Sequence, residues 1–247
     1  MPTMKILCVI PSRIQSTRLP RKAILPIQGK PMVQWVYENA NRCQVINKVV
    51  VATDSEEIAS VIRNCGGNVE MTNADLKTGS DRVAAVAEKY SDMDIVINLQ
   101  GDEPFIKPKM LEQLVAPFAL DKELKMSTLA HKLDMEKEYT DYRYVKVITA
   151  LNGDALYFSR SPIPYFTDPS KNMAPTYHHI GLYAFRRDFL LLYRNLPQTP
   201  LEKAESLEQL RALEHGYRIK VCITEEKTVE VNDEKDLIAA QNFKFVL

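Results

Sequence analysis

Residues 5–36 read KILCVIPSRIQSTRLPRKAILPIQGKPMVQWV, and this stretch sets the frame for the rest of the chain. An apolar run at residues 6–10 ends at Pro11, a helical pattern begins near Pro31, and no acidic residue precedes Glu38. All charged side chains of the loop between strand and helix are cationic, namely Arg13, Arg18, Arg21, Lys22 and Lys30. A strand, a cationic loop and a helix start favour a strongly anionic ligand, with phosphate as the natural candidate. A solvated basic surface loop is the alternative.

Composition narrows the class of protein. The 247 residues carry 32 basic and 32 acidic side chains, and zero net charge argues against a general nucleic-acid binder. The four cysteines are scattered without a CxxC pair, which is typical of reduced thiols in a cytoplasmic protein. The first apolar run is too short for a signal peptide, and no run is long enough to span a membrane. We therefore expect a cytoplasmic protein without a membrane or nucleic-acid partner.

Strand-like apolar runs alternate with helical patterns through the first half of the chain. The predicted strands there are residues 6–10, 48–53, 68–71 and 95–99. The predicted helices begin near Pro31, Asp54 or Ser55, Ser80 and Pro108. This alternation predicts an α/β fold with a mostly parallel sheet flanked by helices.

The pattern changes after Lys125, where strand-like stretches come closer together. These stretches are residues 127–130, 145–149, 155–159 and 178–185. We interpret residues 125–200, approximately, as a strand-rich region inserted into a single domain that spans residues 1–247. A helix at 201–215, a strand at 217–223 and a helix from Asp233 are predicted to complete the chain.

Two common phosphate loops are excluded. Ile24 stands where a Walker A loop needs its first glycine, and the chain contains no GxGxxG. What remains is a loop that would hold phosphates with long cationic side chains and backbone N–H groups. Such a loop suits a nucleoside triphosphate whose pyrophosphate must leave.

A second group of polar residues follows the predicted strand at 95–99, in the sequence IVINLQGDEP of residues 95–104. Ligands of open parallel sheets bind beyond the carboxyl ends of the strands. Asp102 lies at such an end, next to a glycine that permits close backbone approach, and could hold Mg²⁺ on triphosphate oxygens. Alternatively, Asp102 or Glu103 caps the next helix. The basic loop after the first strand favours the metal role.

Several motifs resemble those of one family, the 3-deoxy-manno-octulosonate cytidylyltransferases, over residues 5–237. These motifs are IPSRIQSTRLPRK, GKPM, VATD, MT with TGSDR, NLQGDEP, ALYFSRSPIPY, HHIGLYAF and LEQLRALEHG. GKP alone is shared by many sugar nucleotidyltransferases, whereas the combination of QGDEP, YFSRxxIP and LEQLR is specific. The resemblance implies a nucleotidyltransferase fold whose strand-rich region binds sugar and forms a homodimer.

The resemblance also implies a reaction. CTP and the acid sugar 3-deoxy-D-manno-octulosonate (Kdo) would give CMP-Kdo and pyrophosphate, for lipopolysaccharide synthesis, with Mg²⁺. The sugar's anomeric hydroxyl would attack the α-phosphorus, so the protein supplies mainly positioning and charge neutralisation. The matching motifs imply that the nucleotide is bound by Pro11, Ser12, Arg13, Lys22, Thr78, Arg82 and Gln100. Of these, Thr78, Arg82 and Gln100 would recognise the cytidine. Arg13, Lys22 and Asp102 would form the catalytic set, with Asp102 on the metal.

For the sugar, the resemblance points to residues in the second half of the chain. Arg160 would pair with the sugar carboxylate, because that group needs a cation. The remaining sugar-binding candidates, which rest on the motifs, are His179, Tyr183, Glu208 and Gln209. Without the family match, His179 would be interpreted as a structural histidine, and Glu208 and Gln209 as solvated helix residues.

The sequence departs from the family pattern at three positions. Arg21 replaces the usual glycine before the loop lysine, and Ile14 replaces the usual aromatic. The late motif Gly-Val/Ile-Asp-Thr-Pro-Glu-Asp-Leu appears as EVNDEKDL at residues 230–237, so that Asn232 occupies the position of a second metal-binding aspartate. An amide oxygen can ligate Mg²⁺ but adds no negative charge. Alternatively, Asp233 is the ligand, although its role as N-cap of the last helix is favoured.

Two other functions remain open from the sequence. The first is a cytidylyltransferase for a related acid sugar, such as 8-amino-Kdo or a sialic acid. The second is a protein that binds CTP or a CMP-sugar without turning it over. A pyrophosphate-release assay with a panel of acid sugars separates them.

Overall fold

The computed structural model describes residues 4–16, 18–76, 78–168 and 174–245. The strands are β1 (Ile6–Ser12), β2 (Pro26–Ile27), β3 (Lys30–Pro31), β4 (Lys48–Thr53), β5 (Val69–Met71), β6 (Ile95–Asn98), β7 (Met126–Lys132), β8 (Lys146–Thr149), β9 (Ala155–Ser159), β10 (Tyr177–Arg186) and β11 (Ile219–Ile223). The α-helices are α1 (Met32–Asn41), α2 (Glu56–Asn64), α3 (Gly79–Lys89), α4 (Pro108–Val115), α5 (Pro117–Leu120), α6 (Arg187–Tyr193), α7 (Pro200–Glu205), α8 (Leu210–Glu214) and α9 (Glu234–Asn242), and a 3-10 helix spans Lys22–Ile24.

The chain divides into two compact units. The first contains residues 1–112 and 227–247, and the second contains residues 113–226. The prediction of a single domain over residues 1–247 stays a prediction, and the strand-rich region expected near 125–200 lies within the second unit.

The first unit is built on a parallel sheet with strand order β6, β1, β4, β5. The central strand β1 is buried throughout residues 6–10, because a parallel strand covered by helices loses solvent on both faces. Helices α1 and α3 both contact β1, and α2 packs on β4 and β5. The predicted α/β class, with a mainly parallel sheet flanked by helices, is confirmed.

The cationic loop of the first unit contains a β2–β3 hairpin that sequence patterns missed. Gln28 and Gly29 both have positive φ, at 50° and 81°, as a tight two-residue hairpin turn requires. The Gln241 side chain of α9 fixes this turn, since its Oε1 accepts from the Gln28 N–H at 2.8 Å and its Nε2 donates to the Pro26 carbonyl at 2.7 Å. The C-terminal helix therefore holds the loop that carries the cations.

The second unit has a mixed sheet. Strand β7 pairs in parallel with β11 and antiparallel with β10, while β8 pairs antiparallel with both β10 and β9. All four strands predicted between residues 125 and 200 are present, and their ends differ from the predicted ones by at most two residues.

The helix predicted at 201–215 is wrong in one respect, because the structure contains two short helices, α7 and α8. Ser206 adopts a left-handed conformation with φ of 52° and ends α7. A buried ion pair joins the two helices, with Arg211 Nε donating to Glu202 Oε2 at 2.8 Å and both side chains 6% exposed. The ion pair thus holds the two short helices together across the break.

Within the described ranges, no helix combines the length and the apolar composition that crossing a membrane requires.

Candidate active site

An open cavity of about 300 Å³ lies in the first unit, at the carboxyl ends of β1 and β6. Its lining combines the end of β1, the cationic loop and the turn after β6, through Pro11, Ser12, Arg13, Gln15, Ser16, Arg18, Lys22, Ala23, Met32, Gln100, Gly101 and Asp102. Nine residues were predicted from the sequence as nucleotide, catalytic or metal residues, and six of them line this cavity: Pro11, Ser12, Arg13, Lys22, Gln100 and Asp102. The sheet therefore brings the cationic loop and the carboxylate together, as the sequence predicted.

Gly101 makes this convergence possible. A Cβ at this position would lie 2.7 Å from Ser12 Oγ and 3.1 Å from the Pro11 carbonyl oxygen. Real Cβ atoms do not come so close to other heavy atoms without a shift, so only glycine fits the gap unchanged. The turn that carries Asp102 thus packs directly against the end of β1.

Lys22 and Asp102 form the central ion pair of the cavity. Lys22 Nζ donates to Asp102 Oδ2 at 2.7 Å, and the two side chains are only 18% and 20% exposed. The other carboxylate oxygen, Asp102 Oδ1, is buried without a hydrogen-bond partner, as is Ser12 Oγ beside it. Buried polar atoms normally have partners, so these two oxygens are places where a ligand or ion would bind.

Arg21, the residue before Lys22, has a strained backbone conformation. Arg21 has φ of 58° and ψ of 27°, a left-handed conformation that favours glycine, and the 3-10 helix starts directly after it. This is the position where the family pattern has glycine. The Arg21 guanidinium donates to the Glu57 carboxylate on α2, although both groups are exposed and the pair contributes little to stability.

Arg13 and Gln100 line the cavity from the carboxyl ends of the neighbouring parallel strands β1 and β6. The Arg13 Nη2 group donates to the Leu76 carbonyl, which ties the cationic loop to the segment before α3. Gln100 Nε2 donates to Asn98 Oδ1 at 3.2 Å, at the end of β6.

Thr78 and Arg82, predicted to read the cytidine, are not among the described residues that line the cavity. The Thr78 hydroxyl accepts from the Asp81 N–H at 3.0 Å and forms a capping box at the start of α3. The fully buried Arg82 donates to the Thr72 hydroxyl and, at 3.1 Å, to Asp54 Oδ2. Burial lowers the pKa of Arg82, and the Asp54 charge opposes this shift.

The start of α3 is nevertheless close to the site. A Cβ on Gly79 would lie 3.6 Å from Pro11 Cγ, which is ordinary van der Waals contact. The TGSDR motif therefore adjoins the end of β1, and the assignment of Thr78 and Arg82 to the cytidine stays a prediction.

Asn232 reaches the cationic loop through a different contact from the one expected of a metal ligand. Its Oδ1 accepts from Arg18 Nη2 at 3.1 Å. The neighbouring Val231 is buried, and its N–H donates to the Asp102 carbonyl at 2.9 Å, so this segment packs beside the metal candidate. Asp233 is the N-cap of α9, since its Oδ1 accepts from the Lys235 and Asp236 N–H groups at 2.9 and 3.1 Å.

Two further carboxyl groups near Asp102 were missed from the sequence. Desolvation raises the pKa of Glu230, and the Asp102 charge raises it further, while a hydrogen bond from the Asn232 side chain lowers it. Glu230 is exposed to solvent. Burial raises the pKa of Glu103 to about 8, with a contribution from Glu230, and the Thr228 hydroxyl donates to Glu103 Oε2 at 2.6 Å.

In the second unit, three of the predicted sugar residues are connected. His179 Nε2 and Thr128 Oγ1 lie 2.9 Å apart, the His179 and Tyr183 rings are 5.5 Å apart, and the Tyr183 hydroxyl donates to Gln209 Oε1 at 3.0 Å. Burial lowers the pKa of His179 to about 3 and raises the pKa of Tyr183 well above its ordinary value. Gln209 is buried and its Nε2 has no hydrogen-bond partner.

Glu208 and Arg160 are placed by other contacts of the second unit. The Glu208 backbone carbonyl accepts from the Tyr193 hydroxyl at 2.6 Å. Desolvation is the main cause of the raised pKa of Tyr183, and the charge of the Glu208 carboxylate adds to it. Arg160 Nε donates to the Glu205 carbonyl at 2.9 Å and Nη1 to the Tyr142 carbonyl at 3.2 Å. Both acceptors of the guanidinium are neutral carbonyls, while the Glu205 carboxylate accepts from the Arg160 backbone N–H at 2.9 Å and from the Ser159 hydroxyl at 2.6 Å.

This fold and site define a nucleotidyltransferase: a parallel sheet whose first strand leads into a cation-rich loop facing a carboxylate at the tip of a neighbouring strand. The sequence model of the cytidylyltransferase family matches residues 7–222. The chain is 52% identical over 240 residues to a 3-deoxy-manno-octulosonate cytidylyltransferase of Acaryochloris marina, with 97% of each chain covered. A protein of the same name from Geobacter metallireducens is 46% identical over 243 residues, with 95% of each covered.

A solved structure gives the same result. It is a CMP:2-keto-3-deoxy-manno-octonic acid synthetase in complex with CTP, and it matches with a TM-score of 0.91 at 41% identity, covering 96% of this chain and 97% of that one. The chain therefore belongs to the 3-deoxy-manno-octulosonate cytidylyltransferase family, and the resemblance found in the sequence motifs is confirmed.

Proposed function

We propose that this enzyme transfers CMP from CTP to the anomeric hydroxyl of Kdo and releases pyrophosphate, giving CMP-Kdo for lipopolysaccharide synthesis. The observation that carries the proposal is the cavity at the ends of β1 and β6, where Lys22 and Asp102 meet beside Arg13. Phosphoryl transfer needs positioning and neutralisation of phosphate charge more than covalent participation by the protein. The match to a CTP complex over nearly the whole chain supports the choice of nucleotide.

We propose that Asp102 holds Mg²⁺. Its Oδ1 is buried without a partner while Lys22 occupies Oδ2, so one carboxylate oxygen is left for a cation. Mg²⁺ prefers carboxylate oxygens and takes its remaining ligands from water and phosphate. When bound, the ion would neutralise charge on the triphosphate, while Lys22 and Arg13 supply fixed positive charge from the loop.

We propose that Glu230, rather than Asn232, supplies the second negative charge at this site. The Asn232 amide oxygen already accepts from Arg18, and a guanidinium competes with any cation for that oxygen. Glu230 is close enough to Asp102 for the Asp102 charge to raise its pKa, and the Asn232 side chain opposes this rise.

The polar groups of the second unit fit a hydroxylated acid sugar. The unpartnered Gln209 Nε2 is a buried donor for a sugar hydroxyl, and Tyr183 holds its amide in place through Oε1. Arg160 supplies a positive charge for the sugar carboxylate, as bonds to two backbone carbonyls leave its charge available. Thr78, Arg82 and Gln100 remain our assignment for the cytidine.

Oligomeric state and location also belong to the proposal. We assign a homodimer formed through the strand-rich second unit, and a cytoplasmic location, which agrees with four free cysteines. Light scattering after size-exclusion chromatography measures the first directly, and a monomeric mass would contradict it.

The test of the reaction is a coupled pyrophosphate-release assay with CTP, Mg²⁺ and a panel containing Kdo, 8-amino-Kdo and a sialic acid. We expect the highest kcat/KM with Kdo. Preference for another sugar would reassign the substrate. Binding of CTP without pyrophosphate release in the presence of any of these sugars would show a protein that binds the nucleotide without catalysing the transfer.

The metal assignment is tested with Asp102→Asn, and Asp92→Asn serves as the matched control because Asp92 makes only an exposed ion pair with Lys5. Asp102→Asn should lose nearly all turnover and weaken binding of Mn²⁺, measured by calorimetry in the presence of CTP. Activity close to that of Asp92→Asn would remove Asp102 from the site.

The role of Glu230 is tested by a charge swap measured in the same way. Glu230→Gln should raise the Mg²⁺ concentration needed for half-maximal rate and weaken Mn²⁺ binding. Adding Asn232→Asp to that variant should restore both, because it returns a carboxylate to the same group of residues. If Glu230→Gln leaves the metal requirement unchanged, the second charge comes from elsewhere.

Sugar binding is tested with Arg160→Ala, and Arg143→Ala is the control because Arg143 forms an exposed ion pair with Asp141. We expect Arg160→Ala to raise the KM for Kdo about tenfold or more relative to the KM for CTP, as loss of a charge-assisted contact predicts. Equal effects on both substrates would assign Arg160 a structural role.

A further inference from the structure

Two histidines of the second unit face each other across neighbouring strands. His131 on β7 is directly opposite His178 on β10 in the antiparallel register. Their ring centroids are 4.7 Å apart at an interplanar angle of 82°, and His178 Nδ1 lies 3.0 Å from His131 Nε2. Cross-strand neighbours have fixed Cβ positions, so the sheet holds these two nitrogens close together.

A carboxylate completes the group. One ligand atom each from His131, Glu138 and His178 lies within 4.8 Å of the other two. Glu138 lies in the turn after β7, and this turn fixes its carboxylate, because Oε2 accepts from the Asp134 N–H at 3.0 Å. The Glu138 N–H in return donates to the Asp134 carbonyl at 2.8 Å.

The tautomer of His131 follows from its hydrogen bond to the Lys132 carbonyl. His131 Nδ1 lies 2.9 Å from the Lys132 carbonyl oxygen, which can only accept a hydrogen bond, so Nδ1 carries the proton. His131 Nε2 is then the unprotonated nitrogen, and it accepts a hydrogen bond from His178 Nδ1–H at 3.0 Å. An ion bound by both nitrogens would replace this hydrogen bond, with the His178 proton carried by its Nε2 instead. A ring nitrogen that donates to a backbone carbonyl while the other faces a ligand is the usual arrangement of metal-binding histidines.

We propose that His131, Glu138 and His178 bind one Zn²⁺ ion, in a site separate from the Mg²⁺ site proposed at Asp102. Two imidazoles and a carboxylate are ligands that Zn²⁺ prefers, whereas Mg²⁺ prefers oxygen ligands throughout. Zn–N bonds of about 2.0–2.1 Å at a tetrahedral angle place two nitrogens about 3.3–3.4 Å apart. The 3.0 Å separation here needs to open by only a few tenths of an ångström.

The surroundings set the strength of this site. Three protein ligands leave the fourth zinc position for water. The ammonium group of Lys146 lies near His178 and opposes a cation, although its three donors are directed to the carbonyls of Asp141, Tyr144 and Arg160 at 2.9, 2.7 and 2.6 Å. We therefore expect weaker binding than at a four-ligand structural zinc site.

The ion would connect β7, β10 and the turn that carries Glu138. Its role is structural, since it would hold together segments 47 residues apart in the sequence.

The experiment uses the untagged chain after treatment with EDTA, with Mg²⁺ in excess so that the Asp102 site does not take up the probe. Zn²⁺ binding is measured by calorimetry, and Co²⁺ binding by the visible absorption bands of tetrahedral cobalt. We expect one ion per chain. His131→Ala, His178→Ala and Glu138→Gln should each weaken binding by about tenfold or more. His215→Ala is the matched control, because this exposed histidine lies outside the group.

Circular dichroism and thermal unfolding in EDTA establish that each variant is folded, and Glu138→Gln keeps the test valid if a histidine variant is not. Unchanged Zn²⁺ affinity in Glu138→Gln and in the folded histidine variants would overturn the proposal. An equal loss in His215→Ala, or the absence of tetrahedral Co²⁺ bands, would do the same.

Discussion

Gly101→Ala tests whether the end of β1 and the turn carrying Asp102 are as close as the structure shows. The added Cβ would lie 2.7 Å from Ser12 Oγ and 3.1 Å from the Pro11 carbonyl oxygen. The φ of Gly101 is not positive, so alanine is compatible with the backbone conformation and acts only through lack of space.

The two contacts have different costs. Ser12 Oγ has no hydrogen-bond partner, so it can rotate away without breaking a bond. The Pro11 carbonyl belongs to the backbone of the central strand β1 and cannot move without disturbing the sheet. Overpacking of a core costs about 1–3 kcal/mol, and we expect a loss of about 1–2 kcal/mol in the free energy of unfolding, because only one contact is rigid.

The measurements are urea unfolding and kcat/KM for CTP. Since the turn must shift by a few tenths of an ångström, Asp102 moves with it, and kcat/KM should fall about tenfold. Gly181→Ala is the stability control, because a Cβ there meets no atom within 4 Å. Adding Ser12→Ala to Gly101→Ala should recover less than about 0.5 kcal/mol. Wild-type stability and kcat/KM in Gly101→Ala would refute the close approach.

Three further predictions concern stability. Arg21→Gly should raise the urea midpoint by the equivalent of about 0.5–1 kcal/mol, since it relieves a left-handed φ of 58° and loses only an exposed ion pair; a lower midpoint would contradict this. Burial raises the pKa of Glu103 from 4.5 to about 8, so the folded state holds the proton more tightly and loses stability as pH rises through that interval. Glu103→Gln should flatten this pH dependence in EDTA, and equal slopes for both proteins would rule out the titration. Arg211→Met should cost about 3–5 kcal/mol because it leaves Glu202 buried and unpaired, and adding Glu202→Gln should recover most of it; a loss below about 1 kcal/mol would contradict the buried pair.

Local sequence patterns were sufficient to predict the strands of the main sheet. The strand predicted at 48–53 is β4, Lys48–Thr53, and the strand predicted at 155–159 is β9, Ala155–Ser159. Buried strands are short apolar runs with clear polar ends, so their bounds follow from the sequence. The convergence of the cationic loop on Asp102 followed from the same pattern, because parallel strands place their carboxyl ends at one edge.

Tertiary contacts explain the break in the helix predicted at 201–215 and the pairing of two histidines, which the sequence did not predict. The periodicity of residues 201–215 is continuous, and the break at Ser206 accompanies an ion pair between Glu202 and Arg211 that no local rule contains. Likewise, the pairing of His131 with His178 depends on strand register. The cap at Thr78 was available from the sequence, however, since Thr78 and Asp81 have the spacing of a capping box.

The departure at Asn232 has a simple account once the neighbouring residues are considered together. The family pattern has glycine and aspartate at the two positions where this chain has Glu230 and Asn232. The chain thus lacks one carboxylate and gains another two residues earlier. The Asp102 charge raises the pKa of Glu230, and the Val231 N–H between Glu230 and Asn232 donates to the Asp102 carbonyl at 2.9 Å, so this segment lies beside the proposed metal ligand. If Glu230 belongs to the metal site as proposed, the number of carboxyl groups there is unchanged, and the substitution that suggested a weakened enzyme is compatible with an active one.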